Sequence, residues 1–403
     1  MVHMSLQSPE LRPTQATEKL TNTHYSAILS KLMGLRGTIG IPEDLQIPNP
    51  LSYASTADYV VANREFNMQL RQIAVRYLEM QKVIDLVRTR IQEDIGDSDH
   101  QIDVTLATVG SDGRLEKCLP SLYETVAYVR KQHNGIHLEL HQEISEEIAD
   151  ITAQDAVTRM VHADAQDPLM RTGIFSHVEV KTFSSSNFLH FNDNPALKAW
   201  PSRIIDALPL GVDEGGLIPA AKRRLLSEIQ GPEGKKLIAL EDDRHKDARK
   251  IITRGGADRF QGKDVQHYDL EKREMYYDTQ TGAAALKHGP LRTVQTLCYW
   301  KLMQALRLAE NGEPLLQQTP TPTTEKLAYL ADNNVLKFQR HAQMEELRTV
   351  YERILWWQHR AGYAHHVESQ PVLSLSPNEA AELTELLRGL DARVREVAKK
   401  TGS

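Results

Sequence analysis

A short segment, Gly110-Ser111-Asp112-Gly113-Arg114, constrains this chain more than any other feature, because of what flanks it. Before it, residues 102–109 (I-D-V-T-L-A-T-V) are rich in β-branched side chains; after it, residues 122–129 (L-Y-E-T-V-A-Y-V) have the same texture. The pattern predicts two strands that reverse around a tight glycine-containing turn. Such a turn presents backbone N–H groups and a hydroxyl to a phosphate, and an arginine at its exit adds a bidentate anion contact. Asp-Gly is also a common pair in ordinary hairpin turns. Local sequence alone leaves both readings open.

The surrounding pattern predicts an α+β chain with a helical C-terminal part. Residues 1–54 carry Pro42, Pro48 and Pro50 among many polar residues and predict an extended segment. Ser55-Thr56-Ala57-Asp58 reads as a helix cap. A long helix follows to about Asp94, with Phe66, Leu70, Ile73, Tyr77, Met80, Ile84, Val87 and Ile91 on one stripe. Residues 136–141 predict a third strand, 144–163 an acidic helix, and 175–183 and 188–191 further strands around Ser184-Ser185-Ser186.

Residues 217–253 predict helix broken near Gly231-Pro232, and 265–277 a short hairpin. Residues 287–292 predict a loop entering a helix over 293–310, and 314–322 a linker. Helices follow over 336–360 and after Ser376-Pro377-Asn378-Glu379, a capping box with proline at the first helical position. The last carries Leu383, Leu387, Leu390, Val394 and Val397 as its buried stripe, and Trp356-Trp357 anchors helical packing. The organisation is thus an N-terminal segment (1–54), an α/β core (55–216), a helical continuation with hairpin and cleft-lining loop (217–313), and a helical region (314–403).

Composition narrows the function classes. A net charge of −6 over 403 residues argues against nucleic acid as a partner. Two cysteines far apart, Cys118 and Cys298, offer neither a disulfide framework nor zinc spacing. No apolar run reaches membrane-spanning length and no signal-peptide core follows the start, which predicts a cytoplasmic protein with no membrane partner and leaves non-classical secretion open.

Three segments in order carry a family resemblance. Residues 109–116 (V-G-S-D-G-R-L-E) resemble the phosphate-binding G-G/S-x-G-R-G-E segment of the nucleotidyltransferase superfamily. Residues 200–207 (W-P-S-R-I-I-D-A) with 210–213 (L-G-V-D) resemble its S/T-x-L-L-D/E-A/S-R…G-D helix. Residues 286–295 (L-K-H-G-P-L-R-T-V-Q) resemble its K-x-G-P-G-G-L-R-D-I-E/Q segment. The match spans roughly 57–310 and is nearest to the branch of bacterial signal-protein uridylyltransferases and glutamine-synthetase adenylyltransferases. It implies a small mixed nucleotidyltransferase-like sheet flanked by helices, a nucleoside triphosphate (ATP or UTP), Mg²⁺ or Mn²⁺, and a protein acceptor or partner.

Two departures stand out. The family's D-x-D is replaced by Ser121-Leu122-Tyr123-Glu124, which keeps one carboxylate, and Gly289-Pro290-Leu291 lacks a glycine pair. Two carboxylates normally hold the ions that bridge a triphosphate. The resemblance therefore assigns catalysis to Glu124 with Glu179 and Asp193, metal binding to Glu124 and Glu179, and nucleotide contacts to Gly110, Ser111, Asp112, Gly113, Arg114, Arg203, Lys287 and Arg292. Glu179 and Asp193 read as solvated or salt-bridged acids as well, whereas Glu124 shares its strand face with Val126 and Tyr128 near the turn and calls for a reason. Arg203 or Arg292 can equally pair with Asp206 or Asp269. Two functions remain open: a metal-dependent nucleotidyltransferase, or a degenerate scaffold that binds without turnover.

Overall fold

Alternating β-branched residues before and after the glycine-rich segment pair as antiparallel strands, β1 (Gln101–Thr108) and β2 (Glu124–His133), in register from Gln101↔Gln132 to Thr108↔Thr125. The computed structural model of the chain describes residues 48–77, 84–85, 88–89, 101–117, 124–133, 136–138, 179–183, 200–253, 268–269, 274–276, 286–333, 341–368 and 372–398. Ahead of β1 runs helix α1 (Thr56–Tyr77), whose Ser55 and Asp58 make the expected cap, with the Asp58 amide donating to Ser55 Oγ at 3.1 Å.

Three short strands complete a mixed five-stranded sheet. β3 (Ile136–Leu138) pairs antiparallel with the C-terminal end of β2, and β4 (Glu179–Phe183) pairs parallel with its N-terminal half. On the opposite edge β5 (Leu208–Pro209) pairs with the end of β1. The chain is α+β, with most of its remaining described length helical. The expected helix over 144–163, the strands at 175–178 and 188–191, the stripe positions Met80, Val87 and Ile91, and Cys118 lie outside the described residues.

Between β1 and β2 the chain forms a short helical turn, α2 (Gly110–Gly113), where a hairpin turn was expected. Gly110 takes φ 58°, a left-handed value that suits glycine. A Cβ on Gly113 would lie 2.3 Å from the Asp206 carbonyl oxygen and 2.7 Å from that of Thr108, so only glycine lets the turn approach both.

Helices pack behind this sheet. After α3 (Trp200–Ile205) and β5, Asp213 accepts the amides of Leu217 and Ile218 at 2.9 and 3.1 Å and so caps α4 (Leu217–Gln230). The break at Gly231-Pro232 separates it from α5 (Gly234–Thr253), as expected. β6 (Tyr268–Asp269) and β7 (Glu274–Tyr276) form the expected hairpin pairing.

The expected loop at 287–292 is instead a π-helical turn, Lys287–Leu291, continuous with α6 (Arg292–Leu308). Its wider hydrogen-bond ring accommodates Pro290, which has no N–H to donate. The expected 314–322 linker likewise begins as helix, α7 (Glu313–Gln317), with Pro314 in its first turn and Leu316 buried.

α8 (Thr323–Asp332), α9 (His341–Glu368), strand β8 (Val372–Ser374) and α10 (Pro377–Ala398) complete the order. β8 adds to the β7 edge, across about a hundred residues of chain. The capping box at Ser376 forms as expected: the Ser376 amide donates to Glu379 Oε2 at 2.7 Å and the Glu379 amide to Ser376 Oγ at 3.3 Å. One apolar core runs from Tyr59 through Ala107 and Tyr128 of the sheet to Val397 of the last helix. No helix among the described residues is long and apolar enough to cross a membrane.

Candidate functional site

The backbone brings two of the expected positions, 124 and 179, into register. Because β4 runs parallel to β2, Glu124 and Glu179 are register partners, each opening its strand. Partners in adjacent strands share a face of the sheet. The neighbouring pair Thr108↔Thr125 closes the β1–β2 ladder immediately before Val109 and α2, so residues 124 and 179 lie at the sheet end that carries Gly110–Gly113. Asp193, the other proposed carboxylate, lies outside the described residues. Among the described residues no group of three or more His, Cys, Asp or Glu is arranged to hold a metal ion.

Inside α2 the backbone is largely occupied by its own turn. The amides of Gly113, Arg114, Leu115 and Glu116 donate to the carbonyls of Val109, Gly110, Asp112 and Ser111, at 3.0–3.2 Å. Ser111 and Asp112 are buried, and Lys117 Nζ meets Asp112 Oδ2 at 2.6 Å. α1 grips the exit of the turn, as Asn63 and Asn67 donate their side-chain amides to the Lys117 carbonyl at 2.9 and 3.0 Å. One turn further on, Arg71 donates to Thr108 Oγ1 at 2.9 Å and to the carbonyls of Leu208 and Pro209. Burial pushes the Arg71 guanidinium down to about 10, with Asp112 opposing.

Arg114 turns into the core. Its Nε meets Glu116 Oε2 at 2.7 Å, and its Nη1 meets Asp206 Oδ2 at 2.8 Å and Tyr299 Oη at 3.1 Å. Asp206, with 0% of its surface exposed, also takes the Tyr299 hydroxyl and, at 2.6 Å, Lys326 Nζ. Lys326 in turn lies over the Tyr299 ring, 4.6 Å from its centre. Burial alone would depress the Arg114 guanidinium, but Tyr299, Glu116, Asp206 and Tyr351 together outweigh it and hold the group charged. The same burial, with Asp206 beside it, pushes the Tyr299 phenol well up, so the hydroxyl stays a donor.

Glu116 extends this cluster into the C-terminal helices. Its Oε1 accepts the Thr323 amide at 2.7 Å, and its Oε2 accepts from Tyr351 and Gln295 at 2.9 and 3.3 Å. Its carbonyl accepts from His359 Nε2 at 2.9 Å, which leaves His359 Nδ1 to accept the Tyr59 hydroxyl at 2.8 Å. Leu115, between the two anchors, is held at φ 59°, a left-handed conformation uncommon for leucine. It lets Arg114 and Glu116 reach the same cluster.

The three segments singled out in the sequence therefore meet: Arg114 and Glu116 from the first, Asp206 from the second, Gln295 from the third, with Tyr299 one turn beyond it. Asp206 takes Arg114 and Lys326, the pairing that the sequence had offered to Arg203. Arg203 is half-buried, and its carbonyl lies 3.5 Å from the Tyr128 hydroxyl. Lys287 is half-buried in the π-turn; Arg292 is exposed at the start of α6, where its charge bears on Glu241 of α5.

Sequence reasoning missed Asn63, Asn67, Arg71, Lys326, Tyr351 and His359. The first three fall four residues apart on α1, a helical spacing that was legible but polar. Comparison with protein-family models and with curated proteins finds no match to this chain.

Proposed function

We propose that this chain is a metal-dependent nucleotidyltransferase that moves a nucleoside monophosphate from ATP or UTP to an acceptor, a protein in preference to a nucleic acid. The observation that carries the reading is the register of Glu124 with Glu179 at the sheet end next to Gly110–Gly113. Two carboxylates are a hard-oxygen donor set that suits Mg²⁺, which completes its shell with phosphate and water. Glu124 and Glu179 would hold the ion; its chemistry there is to neutralise charge on the transferring phosphoryl group. Gly110 and Ser111 open the turn nearest these carboxylates and would meet the triphosphate. The acceptor hydroxyl would attack the α-phosphorus, breaking the bond to the departing pyrophosphate.

A second reading, a scaffold that binds without turnover, has its own support. Ser111 is 7% exposed and Arg114 is tied into the core, so neither side chain is presented openly to a ligand. Calorimetric titration of ATP and of UTP, with and without Mg²⁺, separates the readings. Magnesium-dependent binding, weakened at least tenfold by Glu124→Gln and by Glu179→Gln while the melting temperature holds, supports the enzyme. Absence of binding by either nucleotide overturns it and leaves the scaffold.

A further inference from the structure

Helix α4 buries the stripe Leu217, Ile218, Lys222, Leu225 and Ile229. Four of these are aliphatic, and the lysine sits in their midst with 7% of its surface exposed. A lysine in such a place ordinarily snorkels to water or meets a carboxylate. Among the described residues no hydrogen bond or ion pair holds the Lys222 ammonium. The acid that acts on it is Asp206, whose oxygens already serve Lys326 on one side and Arg114 with Tyr299 on the other. The other charge that acts on it, Lys326, has the same sign.

We propose that Lys222 is a nucleophilic amine and the site at which this chain reacts with small carbonyl compounds. Desolvation and a neighbouring cation are the two conditions that free a lysine lone pair near neutral pH, and both are met here. Burial, then the like charge of Lys326, lowers the Lys222 amine to about 8 against the opposing pull of Asp206. The lone pair of Nζ attacks the carbonyl carbon, a C–N bond forms, and a proton passes from nitrogen to oxygen. Loss of water from that carbinolamine leaves an imine. The small exposed surface restricts the partner to electrophiles of a few atoms.

Reductive methylation of the folded chain with ¹³C-formaldehyde and a mild borohydride, over a pH series and mapped by peptide mass, tests this. Lys236 and Lys246 serve as references, with side chains 52% and 55% exposed. Lys222 is expected to label at least about tenfold faster than both at neutral pH, its rate levelling above pH 8. Concentrated urea should equalise the three. Labelling of Lys222 no faster than the references, or a rate that climbs alongside theirs towards pH 10, overturns the proposal. Lys222→Arg, checked for an unchanged circular dichroism spectrum, should abolish the fast phase; its persistence also overturns the proposal. Nucleotide binding does not enter the readout, so the result stands apart from the transferase reading.

Discussion

Replacing Asp206 by asparagine removes the charge on which Arg114 and Lys326 both depend. Two cations are then left buried with one acid, Glu116, between them, and losing one partner of a buried pair costs about 3–5 kcal/mol. Denaturant unfolding of Asp206→Asn should show a loss of that order. Gly113→Ala acts differently, by driving a methyl group into two backbone carbonyls, Asp206 and Thr108. Because backbone must shift, the cost is expected to be about 2 kcal/mol or more, read as a lower unfolding midpoint; an unchanged midpoint would show that the turn yields easily. The sequence singled out Gly110–Arg114 as a tight glycine-dependent turn, and a short helical turn stands there. It did not reveal that Arg114 faces inward, because Tyr299 and Lys326 lie far along the chain and leave no local spacing to read.

Periodicity carried the helices at the scale of elements. α1, the broken pair α4 and α5, α6 and α10 follow apolar spacing, and both capping sequences, at Ser55 and Ser376, form as read. β8 was not legible, since three residues join a hairpin a hundred positions away and edge pairing leaves no periodic signature. The register of β4 on β2 was equally hidden, as strand texture does not state a partner.

Two buried imidazoles give the helices an acid limit. Burial pushes His245 of α5 and His359 of α9 down to about 4, against the raising pull of backbone hydrogen bonds to Thr293 and Glu116. The unfolded chain therefore takes up these protons first. The stabilisation is full above about pH 6.5 and is lost as pH falls towards 4. The melting temperature should drop steadily across that window, and less steeply in His359→Gln, which keeps a donor for the Glu116 carbonyl; an equal slope in the variant would exclude His359 as a source.

At the scale of the whole molecule, α9 is the common partner. Tyr351 and His359 hold Glu116, Trp356 Nε1 donates to the Pro50 carbonyl at 2.6 Å, and Arg360 pairs with Glu379 at 2.6 Å. A chain ending at residue 340 should thus leave the α1–sheet region open to proteolysis, with the first cuts near residues 48–60 or 110–117. Resistance there equal to that of the full chain would show that the α/β part is complete by itself. This arrangement also sets a timetable. A ribosome makes α1, β1 and the Gly110 turn more than two hundred residues before it makes α9, so Arg114 and Glu116 emerge with their last partners still unwritten, and the nascent chain must wait, solvated and unlatched, for its own later translation.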